Sequence, residues 1–138
     1  MEFASINFLA VLVSAIVSFA LGALWYSPAL FGKTWQLELG FSDEDLKGAN
    51  MGKIFGSSFV LMLIMGLGMA MLIQGHFDQE ITWLSGLKHG IYIGLVFVGA
   101  SMGINMLYQR KSLKLWFIDA GYQIVFLGIM GAILGAWD

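Results

Sequence analysis

The sequence predicts an all-α integral membrane protein: a four-helix transmembrane bundle with a short cytoplasmic interfacial helix. Three observations carry that prediction. Of the 138 residues, 59% are hydrophobic and only 12% are charged, which leaves too little polar surface to cover a water-soluble globule. Four long runs are nearly free of charge, and roughly 20 apolar helical residues suffice to cross a hydrocarbon core of about 30 Å. Tryptophan is confined to the ends of those runs or just beyond them, at Trp25, Trp35, Trp83, Trp116 and Trp137, where an amphipathic ring favours the headgroup level.

The first span is expected over about residues 6–26. No charge occurs from Phe3 to Gly32, and Pro28 disfavours helical geometry at the residue before it. The run is longer than a signal-peptide core of about 7 to 15 residues and has no basic leader, so it is expected to be retained. A connection over about 27–52 follows, mixing aromatic and charged residues. Within it, Ser42-Asp43-Glu44-Asp45 offers a serine cap, an acidic first turn and a carboxylate at capping-box spacing. That pattern predicts a short surface helix over about 43–50.

The second span, about 54–73, begins after Lys53 and stops before Gly75, a helix terminator. The third, about 84–108, carries Lys88 and His89 close enough to its start to snorkel. The fourth, about 115–137, carries only Asp119. Short connections make neighbouring spans antiparallel, and the chain reads as a single transmembrane domain over residues 1–138. Six basic residues, Lys33, Lys47, Lys53, Arg110, Lys111 and Lys114, fall in the first and third connections, against Lys88 alone on the other side. This asymmetry places those connections in the cytoplasm and both termini outside it.

Several function classes are disfavoured by composition. Seven basic and nine acidic residues give a net charge of -2, so there is no basic field to attract nucleic acid. The absence of cysteine excludes disulfides, thiolate metal sites and cysteine nucleophiles. There is no Ser/His/Asp constellation, phosphate loop, zincin helix or carboxylate-rich di-metal pattern. The two histidines, His76 and His89, lack a metal or haem motif. A noncatalytic protein without cofactor or metal is therefore expected.

Lipid gives no hydrophobic reward for helix association, so small residues that admit close approach matter most. Ala10, Ser14, Ser18 and Gly22 lie four apart on the first span, and hence on one face. The third span has Gly90 with Gly94, and Gly99 with Gly103; the fourth has Gly121, Gly128, Gly131 and Gly135. Pattern leaves open whether these faces meet within one chain or between copies. Besides the lipid bilayer, the expected partners are a second copy or another membrane protein.

Ionisable residues within a membrane are functional candidates. A hairpin folded about Lys111 and Ser112 places Asp119 near Ile104 and Asn105, and Gln123 near Ala100 and Ser101. Ser101 with Asn105, and Asp119 with Gln123, each share a helix face. Together they form a candidate polar site for a cation, a proton or a ligand. The structural alternative pairs Asp119 with Arg110, Lys111 or Lys114. On the outer side Lys88, His89 and Tyr92 form a candidate shallow pocket, with snorkelling as the alternative.

At Ile6-Asn7-Phe8-Leu9-Ala10-Val11, and above all at Gly22 to Trp35 with its Trp25-Tyr26-Ser27-Pro28 core, the chain resembles the bacterial family catalogued as domain of unknown function 1761. The likeness extends through Asp43-Glu44-Asp45-Leu46-Lys47 and the four-span layout. The resemblance implies a small membrane protein without an established activity, and it carries over no catalytic or binding residues. The family-like block comprises Trp25, Tyr26, Ser27, Pro28, Phe31, Gly32 and Trp35. Trp25 and Tyr26 suit the cytoplasmic aromatic belt, while Pro28 and Gly32 turn the chain along the surface. Anchoring alone needs fewer specified residues, so the block is also a candidate ligand or partner site. Two functions compete: helix–helix association with itself or a membrane partner, and permeation of an ion or small molecule through a polar site between the third and fourth helices.

Overall fold

A computed structural model of the chain describes residues 6–74 and 81–137, and every regular element among them is helical. In chain order these are α1 (Phe8–Trp25), α2 (Gly32–Leu39), α3 (Asp43–Lys47), α4 (Met51–Ile73), α5 (Trp83–Ile93), a π-helical segment (Gly94–Gly99), α6 (Ala100–Tyr108) and α7 (Leu113–Ala136). Helices α1, α4 and α7, together with the continuous run α5–π–α6, are long and apolar enough to span a membrane. The four-span bundle expected from composition is therefore the observed fold. His76 lies outside the described residues.

Side-chain caps fix where the helices start. Asn7, Ser42, Asn50, Thr82 and Ser112 each accept a backbone N–H from the first turn of the helix that follows, satisfying donors that the helix itself cannot. The capping box at Ser42 and Asp45 is present, but α3 ends at Lys47, three residues short of the expected end, because Asn50 is recruited to cap α4. The eight-residue α2 has no counterpart in the sequence reading. It ends at Gly40, whose φ of 72° is the left-handed stop that glycine adopts without strain.

Helix α7 is the hub. Half of its most hydrophobic window is buried within the protein, against 28% for α1 and α4 and 17% for the third span. Phe126, Leu127, Met130 and Leu134 fill the centre. On one side α1 packs against α7 and α4, with Ala10, Ser14 and Ser18 fully buried. On the other side the third span runs antiparallel to α7 at backbone contact. A methyl group built on Gly86 would strike the carbonyl of Gly131, one on Gly90 the carbonyl of Leu127, and one on Gly94 would sit 2.8 Å from the Ile124 Cα.

The π segment explains how this face persists along the third span. The glycines that meet α7 are Gly86, Gly90, Gly94, Gly99 and Gly103, so the spacing is four residues except for a step of five between Gly94 and Gly99. An α-helix would rotate Gly99 and Gly103 away by about 100°. A π turn, which closes i to i+5, absorbs the extra residue, and the two glycine pairs merge into one surface.

At the end opposite the basic connections, α1, α4 and α7 are tied together by two side chains. The Gln74 amide donates to the carbonyls of Leu134 and Trp137 and accepts from the Asn7 backbone N–H at 2.8 Å, while the Asn7 amide donates to the Trp137 carbonyl. These bonds satisfy helix-end groups that have no partner in their own helix.

Candidate functional site

The basic end of the bundle holds the family-like block, and its geometry starts with the turn after α1. The Ser27 carbonyl accepts the N–H groups of Leu30 and Gly32, and the Trp25 carbonyl accepts that of Phe31. The chain thereby turns sharply within six residues and launches α2 alongside the start of α7. Gly32 is sterically required, since a Cβ there would collide with the Tyr26 carbonyl and lie 2.8 Å from that of Ser27. The end of α2 is fastened to the start of α7 by a 2.7 Å bond from the Ser112 hydroxyl to Glu38.

The block then docks on α7 through its two leading aromatics. The Trp25 indole N–H donates to the Ile118 carbonyl at 3.0 Å, and the Tyr26 hydroxyl donates to the Asp119 carboxylate at 2.7 Å. Behind them, the Tyr122 hydroxyl donates to the Ser18 carbonyl at 2.7 Å. The rings are continuous: Phe31 contacts Trp25 with centroids 4.8 Å apart, Trp35 contacts Tyr26 at 5.8 Å, and Tyr122 contacts both Tyr26 and Phe126. Trp25 and Tyr26 thus stand at the end of the first span, with their polar tips bonded to protein.

Three aromatic donors, Trp25, Tyr122 and Trp116, share one device for reaching a carbonyl already used within its helix. A helical side chain leans toward the N-terminus and covers the carbonyl three or four residues earlier. Glycine at that covering position uncovers the second lone pair of the oxygen. Gly121 stands over the Ile118 carbonyl and faces Trp25, Gly22 over that of Ser18 and faces Tyr122, and Gly103 over that of Gly99, where the Trp116 indole donates at 2.8 Å. Gly121 therefore serves α1, whereas Gly128, Gly131 and Gly135 serve the third span.

Between the block and α7 lies an open groove of about 440 Å³. Trp25, Phe31 and Thr34 form one wall; Lys114, Phe117, Ile118 and Gly121 form the other. The α7 residues follow i, i+3, i+4, i+7 spacing and so occupy one helix face. That spacing was legible beforehand, and Trp25 and Phe31 belong to the block singled out from sequence, but Thr34, which α2 adds to the same wall, was not.

The four residues of the expected polar site are not brought together. The contacts of Gly86 with Gly131 and Gly94 with Ile124 fix a register that sets Asp119 level with Val98. This is seven residues, or roughly 10 Å, from Asn105. The symmetric hairpin assumed from sequence fails because the chain turns back at Arg110, whose φ is 58°, ahead of the expected turn at Lys111 and Ser112. Rotation differs too: the glycine face of α7 takes the third span, leaving Asp119 toward α1. Ser101 and Asn105 are exposed, and Gln123 is half-buried one turn from Asp119. The hydrogen bond to Asp119 comes from Tyr26, not from Arg110, Lys111 or Lys114.

Lys88, His89 and Tyr92 lie on the exposed side of α5. His89 Nδ1 contacts the Ser85 carbonyl of its own helix at 2.7 Å, and Tyr92 stacks edge-on against Phe97. Ser27 bonds back to the Leu24 carbonyl, and Pro28 is exposed at the turn. Among the described residues, no three His, Asp or Glu side chains are grouped to hold a metal ion.

A four-span helical bundle with an aromatic block folded onto its central helix is the class of protein that this geometry defines, a small polytopic membrane protein by its apolar helices. The chain belongs to the family described as protein of unknown function (DUF1761), whose sequence model matches residues 9–135. No curated protein and no solved structure matches it.

Proposed function

We propose that the protein is a noncatalytic, multi-pass protein of the bacterial inner membrane that works by association at its basic end. That end faces the cytoplasm, with both termini outside. The supporting observation is the fold-back of the Trp25–Trp35 block onto α7, which leaves a groove between them instead of a closed contact. Lipid anchoring needs no such groove, whereas a bound amphiphile or membrane partner does.

The inner faces of α1, α7 and the third span are occupied within the chain, so association with a second copy or another membrane protein falls to the groove and to the outer faces of α4 and the third span. Gly56 and Gly68 on α4 have open space around them, which favours a helix partner there as a second mode. The permeation reading loses its polar site, since Asp119 bonds Tyr26 while Asn105 is exposed, and Phe126, Leu127, Met130 and Leu134 pack the axis.

Intact-complex mass measurement from native membranes tests the proposal. The expected species is the chain with a bound amphiphile, a second copy or a membrane protein. A bare monomer that supports solute flux in proteoliposomes would refute it in favour of permeation.

A further inference from the structure

We propose that the groove is a site for one anionic phospholipid of the leaflet at the basic end, its phosphate held at Lys114 and Thr34 and the upper part of one acyl chain lying along Phe117, Phe31 and the Trp25 ring. The inference rests on the association reading above and names its occupant.

Three features carry it. The first is polarity ordered by depth. Lys114 is the second residue of α7 and Gly121 lies seven residues further in, so the groove runs about 10 Å along the helix. Lys114 stands at the start of α7, Thr34 is the other lining residue with a polar side-chain oxygen, and the remaining lining residues are aromatic, aliphatic or glycine, which suits a headgroup at the Lys114 end and a chain along the rest.

The second feature is charge. Among the lining residues only Lys114 is charged; Lys33, Arg110 and Lys111 belong to the same end of the bundle, and the nearby Glu38 carboxylate is engaged by the Ser112 hydroxyl. A cationic mouth at headgroup level selects a phosphodiester with net negative charge over a zwitterion, because a compensating choline or ethanolamine cation would be repelled.

The third feature is surface. Phe31 is 37% and Phe117 61% exposed, so the walls present open aromatic edges to a chain entering from the side. A water-soluble phosphate compound would contact Lys114 and Thr34 but leave these walls empty, so the lipid is the source to which the groove is suited.

The test uses the full chain, delipidated in mild detergent and titrated with phosphatidylglycerol or with phosphatidylcholine of the same chains, bound lipid being counted by native mass spectrometry. Wild type is expected to retain one phosphatidylglycerol with a preference of about fivefold or more over phosphatidylcholine, the scale of one surface lysine. Lys114→Gln should bring the two lipids within about twofold, and Lys114→Arg should keep the preference. Phe117→Ala should weaken both lipids, and glycerol phosphate should displace neither. Thermal unfolding of each variant verifies that it folds; Lys114 and Phe117 are surface residues, so their variants are expected to melt near wild type. Equal retention of the two lipids by wild type, or an undiminished preference in Lys114→Gln, overturns the anionic assignment. If Phe117→Ala still lowers retention in that case, the groove remains a site for some amphiphile and only its charge selectivity is lost. Retention of no lipid, with neither a partner nor a second copy in native membranes, overturns both this inference and the association reading.

Discussion

The Tyr26 hydroxyl donates to the Asp119 carboxylate at 2.7 Å, joining the last turn of the first span to the second turn of the fourth. This bond sets the angle at which the family-like block lies on α7, because Trp25 one residue earlier bonds the Ile118 carbonyl one residue earlier. The pair is expected to behave as a unit. Tyr26→Phe should lower stability by about 1–2 kcal/mol, the range for interhelical bonds in membranes and for bonds to a carboxylate. In a double-mutant cycle with Asp119→Asn, the second substitution should cost markedly less than the first. Strictly additive losses in detergent unfolding would show that the contact contributes nothing of its own.

A second coupling is expected where glycine uncovers a carbonyl. A methyl at Gly22 would approach the Tyr122 hydroxyl to 2.6 Å and drive it off the Ser18 carbonyl. Gly22→Ala should therefore cost about 1–3 kcal/mol through overpacking and the lost bond, and Tyr122→Phe about 1 kcal/mol. In the Tyr122→Phe background the nearest atom to that methyl becomes the ring carbon at 3.0 Å, so Gly22→Ala should cost less there than in wild type. An equal cost in both backgrounds would mean that the ring and not the hydroxyl sets the fit.

Span number and span ends were legible because the lipid solvent is read from composition over about twenty residues at a time. Helix rotation was not legible to the same degree. The glycines at 121, 128, 131 and 135 make one stripe by arithmetic, yet Gly121 faces Trp25 while Gly131 faces Gly86, since α7 is flanked on two sides. Asp119 was singled out correctly as the charge within the fourth span, but its partner was sought along the adjacent connection. The actual partner, Tyr26, is 93 residues away in sequence, and no local pattern encodes that pairing. Helix α2 escaped notice because Gly32 begins it, although Gly40 carried the stop signal. With it went Thr34's place in the groove, although Trp25 and Phe31 were already singled out.

Asp45 supplies a pH-dependent element at the start of α3. The Ser42 backbone N–H, followed by the Ser42 hydroxyl, holds its carboxyl below the ordinary carboxylate range. A carboxyl lowered in the folded state contributes stability above its unfolded value, near pH 4, and loses that contribution as pH falls through the folded value. The first turn of α3 should therefore fray below about pH 4, seen as faster amide exchange at Ser42 and Asp45. Asp45→Asn should fray at all pH values without that step, and a carboxyl titrating at its ordinary value in NMR would contradict the assignment.

The five-residue step between Gly94 and Gly99 makes the last prediction specific. Deleting Val96, an exposed residue inside the π segment, converts the step of five to four and lets an α-helix carry the glycines of the third span in phase. The deletion variant should still pack on α7 and should melt within a few degrees of wild type. Deleting Tyr92, which is also exposed, leaves the step of five in place but shortens the one between Gly90 and Gly94. Gly94, Gly99 and Gly103 then turn about 100° away from the row set by Gly86 and Gly90. Backbone contact with Leu127 and Ile124 cannot hold on both sides of that break, and the Trp116 bond to the Gly99 carbonyl is lost. Comparable melting temperatures for the two deletions would show that the third span does not depend on a continuous glycine face, whereas survival of the Val96 deletion alone would identify the π segment as the phase correction that keeps this face continuous.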